Sequence, residues 1–161
     1  MGNVLVTGGA GFLGSHLCER LIADGHSVMC LDNLSTGARE NSVHLDSHPN
    51  FRFMEADIVG TLEVDPLPDA ILNLACPASP EYYQKHPLAT LRASMFGVSN
   101  MLELARKCQI PILQASTSEV YGNATRHPQD EGYTGNVNTV GPRACYNEGK
   151  RCAETLCLEY H

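Results

Sequence analysis

Residues 7–14, TGGAGFLG, constrain the fold of this chain more than any other part of its sequence. They follow a short β-branched apolar run, residues 3–7, and lead into FLGSHLCERLIADG, where apolar residues recur at helical spacing. This order predicts a buried strand, a tight glycine turn and an amphipathic helix that ends near Gly25. Such a junction is typical of folds in which strands alternate with helices.

The rest of the sequence continues this alternation. Apolar runs predict further strands at residues 27–31, 51–56, 70–75 and 110–116, and a period of 3.6 predicts helices over residues 87–107 and 143–160. Residues 33–50 are polar and irregular. Because the strand interiors are apolar on both faces, we expect an α/β fold with a doubly wound parallel sheet covered on both sides.

Length and composition limit the classes of protein that this chain can represent. Its 161 residues suit a single domain, and 43% of them are hydrophobic, as expected of a globular chain. Eighteen acidic residues against eleven basic ones give a net charge of −7 without any basic run. This balance disfavours nucleic acid or an anionic membrane as the main partner.

The cysteines and the apolar runs bear on localisation. Seven cysteines occur without a C-x-x-C pair, and we interpret them as reduced, small core residues of a cytoplasmic protein. No apolar run reaches the 18 residues of a membrane-spanning helix, so we expect no membrane contact from this segment. A membrane anchor upstream in a longer protein stays open. His44 and His48 lie four residues apart without a third ligand nearby, and we predict no metal site.

The glycine turn also predicts that the chain binds a ligand with phosphate groups. Gly8, Gly11 and Gly14 follow a G-x-x-G-x-x-G spacing, and Asp32 ends the next predicted strand. Gly8 permits the turn, Gly11 lets the backbone approach a pyrophosphate, and Gly14 allows close packing of helix on strand. The free amides at the helix N-terminus favour phosphate groups. The alternative is a glycine turn that merely joins strand to helix.

Asp32 bears on which dinucleotide is bound. A carboxylate at this position accepts hydrogen bonds from the ribose hydroxyls and repels a 2′-phosphate, which favours NAD over NADP. Arg39 in the following loop leaves NADP open.

Tyr146 and Lys150 stand four positions apart in the last predicted helix. At this spacing they project from one face about one turn apart. An ammonium close to a phenol favours the phenolate and lowers its pKa, which produces a group able to transfer a proton at neutral pH. On its own the spacing supports only a pair on one helix face.

The glycine spacing, the Tyr146-x-x-x-Lys150 pair and ASTSEVYG at residues 115–122 together resemble the short-chain dehydrogenase/reductase family, in its extended branch that modifies nucleotide sugars. Within that branch, five segments resemble the UDP-glucuronate decarboxylases: GGAGFLGSHL, NLACPASPEYYQKHP, ASTSEVYG, HPQDEGYTGNVN and RACYNEGKRCAETL. They cover nearly the whole chain. The resemblance implies a Rossmann fold that binds NAD, and UDP-glucuronate as substrate.

The resemblance also implies the chemistry, in which UDP-glucuronate becomes UDP-xylose through a 4-keto acid that loses CO2. Tyr146 takes the proton of the sugar 4-hydroxyl, Lys150 lowers the tyrosine pKa and binds the nicotinamide ribose, and Thr117 hydrogen-bonds the reacting oxygen. Ser118 and Glu119 face the carboxylate region of the sugar, where an acid orients the substrate or protonates the intermediate. A solvated carboxylate at a strand end is the alternative for Glu119.

Two sets of binding residues are expected beside these five catalytic candidates. The cofactor-binding set comprises Gly8, Gly11, Phe12, Leu13, Gly14, Asp32, Asn33, Thr36, Gly37, Asp57, Ile58, Leu74, Ala75, Tyr146 and Lys150. The substrate-binding set comprises Pro77, Ala78, Ser79 and Tyr82. For the CPASPEYYQ segment, including Tyr83, a rigid loop that packs on the next helix is an equal alternative to a pocket lining.

Other functions stay open. Sugar 4,6-dehydratases resemble the chain at the same strand end but carry Asp and Glu where it has Ser118 and Glu119, and the missing acid favours decarboxylation. A 4-epimerase and a non-catalytic NAD-binding or dimerising module are further alternatives. By resemblance, the helices over residues 87–107 and 143–160 form a homodimer interface. Members of the branch are much longer, so we expect residues 1–161 to be the NAD-binding domain without the C-terminal substrate domain, and to be inactive alone.

Overall fold

The computed structural model describes residues 2–161 and contains one sheet of five parallel strands. The strands are β1 (Asn3–Thr7), β2 (Ser27–Asp32), β3 (Phe51–Glu55), β4 (Ala70–Asn73) and β5 (Ile112–Gln114), in the order β3-β2-β1-β4-β5. Thr7 pairs with Leu31 on one side and with Asn73 on the other, and Asn73 pairs with Gln114. The carboxyl ends of four strands therefore lie in register at one edge of the sheet.

Five α-helices surround the sheet. They are α1 (Phe12–Ala23), α2 (Pro80–Lys85), α3 (Pro87–Arg92), α4 (Val98–Cys108) and α5 (Ala144–Tyr160). A π-helical segment, Ala93–Gly97, joins α3 to α4, and 3-10 turns occur at Arg39–Asn41, Val43–Leu45 and Ser118–Tyr121.

Apolar side chains of the strands alternate between two core clusters. One cluster lies against α1 and contains Val4, Val6, Cys18, Val28, Cys30 and Phe51. The other lies against α4 and contains Leu5, Met29, Leu31, Ile58, Ile71, Met101 and Ala105. Consecutive residues of β1 thus pack on opposite faces, as the period of two in a strand requires. The predicted doubly wound α/β fold is confirmed.

The long helix predicted over residues 87–107 contains a feature that its apolar pattern does not reveal. The backbone stays helical from α3 to α4, but Ala93–Gly97 winds as a π-helix. Two close contacts accompany it: a Cβ on Gly149 would lie 2.8 Å from Ser94 Cβ, and a Cβ on Gly97 would overlap the Ile58 side chain. The wider turn places small residues against α5 and the loop after β3, and such turns are frequent at functional sites.

The ends of several strands differ from the prediction. β5 begins at Ile112 rather than at residue 110, because Gln109 adopts a left-handed conformation (φ 55°) and the Ile110 amide donates to Ala105 O, 3.1 Å away, closing the end of α4. The helix α2 was missed, although Pro80 at its first turn is a recognised start signal. β3 and β4 end one and two residues before the predicted limits.

The helices, two histidines and the cysteines bear on the predictions for membrane and metal binding. Among residues 2–161, no helix combines the length and apolarity needed to cross a bilayer. His44 Nε2 lies 2.7 Å from Glu19 Oε1, and His48 Nδ1 accepts a hydrogen bond from the Asn50 amide. All seven cysteines are free, with Cys18 and Cys30 buried in the cluster against α1.

Candidate cofactor and active site

The glycine turn after β1 is shaped by close backbone contacts. Gly8 has a positive φ of 69°, and a Cβ on it would lie 2.9 Å from Ala75 N. A Cβ on Gly14 would overlap the Gly8 carbonyl oxygen. On Gly11 a Cβ would approach only Gly8 O, at 3.2 Å, and would otherwise face open space. The first and third glycines thus serve packing, whereas the second leaves room for a ligand against the backbone.

A cavity of about 430 Å³ opens beside this turn, at the carboxyl edge of the sheet. It is lined by ten residues of the predicted cofactor set, Gly8, Gly11, Asp32, Asn33, Thr36, Gly37, Asp57, Ile58, Leu74 and Ala75, and by Pro77 and Tyr82 of the substrate set. Residues that follow four different strands therefore meet in one cavity, where doubly wound folds bind their ligands.

Some predicted residues do not line this cavity. Phe12 and Leu13 begin α1 with side chains that are 76% and 66% exposed. The residue before them, Gly11, makes no side-chain cap, so the first-turn amides have no partner within the helix. These residues, like Gly14, can offer a ligand only their backbone. Ala78 and Ser79 are exposed in the turn before α2 and also lie outside the cavity lining.

Asp32 is held rigidly at the cavity wall. Its carboxylate is buried, with Oδ2 accepting from the Ala10 amide at 3.0 Å and Oδ1 from the Leu34 amide at 2.8 Å. Gly37 packs so closely that a Cβ on it would lie 2.9 Å from both oxygens. Each carboxylate oxygen keeps a second lone pair for a ligand hydroxyl. The backbone amides thus fix the acceptor before a ligand arrives.

Arg39, considered as a partner for a 2′-phosphate, is engaged elsewhere. Its guanidinium donates to Ser42 Oγ at 2.9 Å, pairs with Asp46 Oδ1 and lies 4.1 Å from the centre of the Phe53 ring. Arg39 is also absent from the cavity lining. These contacts remove the main reason to expect NADP.

The loop after β3 forms the opposite wall of the cavity. Asp57 accepts hydrogen bonds from Asn33 Nδ2 at 3.0 Å and from the Val59 amide at 2.9 Å. Asn100 on α4 donates to Ile58 O at 2.8 Å. These bonds connect the loops after β2 and β3 to the helix layer.

The sequence prediction missed eight lining residues: Leu31, Ser35, Ala56, Val59, Cys76, Ala89, Arg92 and Ala93. Most of these eight residues are next to predicted residues in the sequence, so their position after a strand could have identified them. Arg92 ends α3 and Ala93 begins the π-helical segment, so both lie on the predicted helix over residues 87–107, which was not expected to line the cavity.

Tyr146 and Lys150 are both buried on α5, with exposed fractions of 7% and 4%. Burial raises the pKa of the Tyr146 phenol, and the hydroxyl of Thr117 acts in the opposite direction. Burial also lowers the pKa of Lys150, whose Nζ donates to Ala115 O at 2.8 Å. The predicted lowering of the Tyr146 pKa is therefore not found: burial dominates and favours the neutral form of both groups.

Tyr83 extends this buried group. Its ring is 2% exposed and stacks on Tyr146, with ring centres 5.2 Å apart and planes 2° apart. The neighbouring Tyr82 lines the cavity instead. The two interpretations of the segment before α3 thus hold for different residues, one lining a pocket and the other packing on a helix.

Glu119 borders a second, polar cavity of about 300 Å³. Its Oε1 lies 3.0 Å from Arg143 Nη1, so it is an ion-paired carboxylate rather than a freely solvated one. The lining also includes Gly122, Asn123, Asn138, Gly141, Pro142, Arg143, Ala144 and Asn147. Ser118 begins the adjacent 3-10 turn and is exposed. Arg143 and the three asparagines were not predicted as site residues, although Asn138, Arg143 and Asn147 lie in segments that resemble the decarboxylases.

The opposite pKa shifts of two tyrosines provide a test of this geometry. We expect the Tyr146 phenol to ionise above the usual tyrosine pKa of about 10, because it is buried, and Tyr133 to ionise below it, because Thr125 hydrogen-bonds its oxygen. Carbon-13 NMR of labelled tyrosines over a pH series measures both, with Tyr146→Phe and Tyr133→Phe assigning the signals. Ionisation of Tyr146 before Tyr133 in the folded chain would contradict the buried site.

Comparison with known proteins identifies the family to which this chain belongs. A model of the family described as GDP-mannose 4,6 dehydratase matches residues 5–161. UDP-glucuronic acid decarboxylase 1 of Arabidopsis thaliana is 49% identical over 158 residues, covering 98% of this chain and 36% of the relative. The Danio rerio protein of the same name is 50% identical over 157 residues, covering 98% of this chain and 37% of the relative.

A solved structure agrees with the fold. The crystal structure of Thermus thermophilus UDP-glucose 4-epimerase, in complex with NAD, superposes with a TM-score of 0.76 at 29% identity, covering 98% of this chain and 50% of that one. The chain spans between about a third and a half of the length of the curated relatives that it matches. By the match over residues 5–161, the chain belongs to the family described as GDP-mannose 4,6 dehydratase.

Proposed function

We propose that this chain is the NAD-binding part of an enzyme that decarboxylates UDP-glucuronate to UDP-xylose. The observation that carries the proposal is the cavity in which the glycine turn, Asp32 and the ends of four strands meet. Relatives named UDP-glucuronic acid decarboxylase, identical at half of the aligned positions, support the substrate. An epimerase of similar fold in complex with NAD supports the cofactor. Residues 1–161 would form the NAD-binding domain, and a substrate domain would lie outside this sequence.

The residues present fit this cofactor. The open space over Gly11 and the unpartnered amides of Phe12 and Leu13 suit a pyrophosphate, which the positive end of the α1 dipole favours. The fixed Asp32 carboxylate suits the two hydroxyls of the adenosine ribose and disfavours a phosphate there. Leu74, Ala75 and Pro77 continue the cavity toward β4.

In the proposed reaction, NAD+ held by the cavity residues would supply reversible hydride transfer with the sugar. Tyr146 accepts the proton of the sugar 4-hydroxyl, and Thr117, whose hydroxyl lowers the Tyr146 pKa, holds the reacting oxygen. Because burial disfavours the phenolate, a positive charge on Lys150 is needed to favour it. The stacked Tyr83 excludes water from one face of the Tyr146 ring.

Glu119 and the second cavity suit the acidic end of the sugar. Asn123, Asn138 and Asn147 offer amide donors and acceptors around Glu119, and Arg143 holds its carboxylate. We assign Glu119 the role of orienting the substrate or of protonating the intermediate after CO2 leaves. Ser118 beside it carries no acid to expel a 6-hydroxyl, which favours decarboxylation over 4,6-dehydration.

The assembly proposed for the enzyme is a homodimer through the helices over residues 87–107 and 143–160. Leu88, Phe96 and Leu158 on these elements are 66%, 56% and 74% exposed, so both helices present apolar side chains that a partner could cover. Sedimentation equilibrium should give a dimer mass that falls after Phe96→Glu, a charge placed in the interface. A monomeric mass for the unchanged chain would contradict the dimer.

The mass of the sugar product tests the reaction. A protein that carries this segment at the length of its curated relatives should convert UDP-glucuronate with loss of CO2, whereas a dehydratase would release water and an epimerase would leave the mass unchanged. Tyr146→Phe should abolish turnover, because the ring lacks the proton acceptor. The 161-residue chain should release no CO2 alone.

Mass spectrometry of the nucleotide sugars distinguishes these outcomes. Loss of water would replace the decarboxylase by a dehydratase. Retained turnover in the Tyr146→Phe protein would remove Tyr146 from the mechanism.

A further inference from the structure

A chain of buried side-chain hydrogen bonds crosses three strands beneath the candidate active site. Thr7, Asn73 and Gln114 are the last residues of β1, β4 and β5, and they lie side by side in register. Thr7 Oγ1 donates to Asn73 Oδ1, and Asn73 Nδ2 donates to Gln114 Oε1 at 2.6 Å. Thr7 and Asn73 are completely buried. Polar groups at such depth are retained only when every donor finds an acceptor.

The hydrogen-bond chain ends at the carbonyl group that holds Lys150. Gln114 Nε2 donates to Ala115 O at 2.9 Å, and Lys150 Nζ donates to the same oxygen at 2.8 Å. The Ala115 amide in turn donates to Asn73 O at 3.0 Å. Ala115 is therefore held at its amide by the backbone of Asn73 and at its carbonyl oxygen by the side chain of Gln114.

The other end of the hydrogen-bond chain reaches the cofactor cavity. The Ala75 amide lies 3.4 Å from Thr7 Oγ1, and Ala75 lines that cavity. The donors also run in one direction, from the Thr7 hydroxyl through both amides to Ala115 O. Replacing either amide by a carboxylate would therefore place two acceptors against each other.

We propose that Asn73 and Gln114 are positioning residues that fix the Ala115 carbonyl as the anchor of the Lys150 ammonium. Neither residue lines the cofactor cavity or the cavity beside Glu119, and both act through Lys150. The inference rests on the proposed function only for the role of Lys150, since the anchoring itself is a property of the chain without ligands.

Several titratable groups lie around Lys150, so a test must distinguish their effects on the Lys150 pKa from the effect of Gln114. Cys76 after β4 and Glu154 on α5 both raise its pKa, against the lowering by burial, and Tyr146 lies one turn before it on α5. Gln114 contributes no charge in the native chain. Because Gln114 Nε2 and Lys150 Nζ share one acceptor, they lie within about 6 Å, where an opposite charge raises a lysine pKa.

Carbon-13 NMR of labelled lysines measures this coupling directly, because the chain has only Lys85, Lys107 and Lys150. Gln114→Glu should raise the pKa of Lys150 above its native value and leave those of Lys85 and Lys107 unchanged. Gln84→Glu, which adds the same charge at an exposed position of α2, should leave Lys150 unchanged. An identical Lys150 pKa in the native and Gln114→Glu chains would overturn the proposal.

A second variant covers the case in which Gln114→Glu does not fold. Gln114→Leu removes the donor to Ala115 O, so Lys150 should react several-fold faster with acetic anhydride, with Lys85 and Lys107 as references within the same chain. An unchanged rate in the folded variant overturns the proposal. NAD binding is measured separately, so a failure of the proposed cofactor leaves the Lys150 result interpretable.

Discussion

The backbone contact between the turn after β1 and the end of β4 is the constraint on which the site depends. Gly8 lies so close to the backbone of Leu74 and Ala75 that no side chain fits between them, and Gly14 packs equally closely on Gly8. This brings the start of α1 to the carboxyl edge of the sheet. Gly11 at the start of α1, Asp32 and the residues after β4 consequently line one space.

Hydrogen bonds among the loops give this space a fixed shape. Ala10 N and Leu34 N hold the Asp32 carboxylate, and Asn41 Nδ2 donates to Ala10 O at 2.8 Å, so the loop after β2 is fastened to the glycine turn. Asn33 and Val59 hold Asp57 in the same way. A site formed before its ligand arrives avoids much of the entropy cost of ordering loops on binding. The amides therefore fix the shape of the cavity and the positions of its two carboxylates.

The sequence predicted those features that depend on neighbours along the chain. The glycine spacing, the strand ends at Asp32 and Asp57, and the pair on α5 were identified from local pattern, and ten predicted cofactor residues line one cavity. Features that depend on packing between distant segments were not predicted. The π-helical segment accompanies the close contacts of Gly97 with Ile58 and of Ser94 with Gly149. The local periodicity of apolar residues does not reveal such contacts.

The burial of Tyr146 and Lys150 is another feature that local sequence patterns could not predict. Spacing on a helix predicts that two residues share a face, but whether the phenol loses its proton depends on burial, and here burial opposes ionisation. The anchoring of Lys150 on Ala115 likewise depends on Asn73 and Gln114, which are joined only by sheet register. Local sequence thus identifies the candidate groups, whereas tertiary packing decides their pKa and position.

Calorimetric titration of the 161-residue chain with NAD+ and NADP+ tests whether the cavity binds NAD. We expect that NAD+ binds, that NADP+ binds at least about tenfold more weakly, a difference of 1.4 kcal/mol, and that Asp32→Ala loses this preference. Asp46→Ala, which frees Arg39 without touching the cavity lining, is the matched control and should keep NAD+ binding. Absence of NAD+ binding to the folded chain, or equal affinity for both dinucleotides, would contradict the proposed NAD site and the role of Asp32 in it.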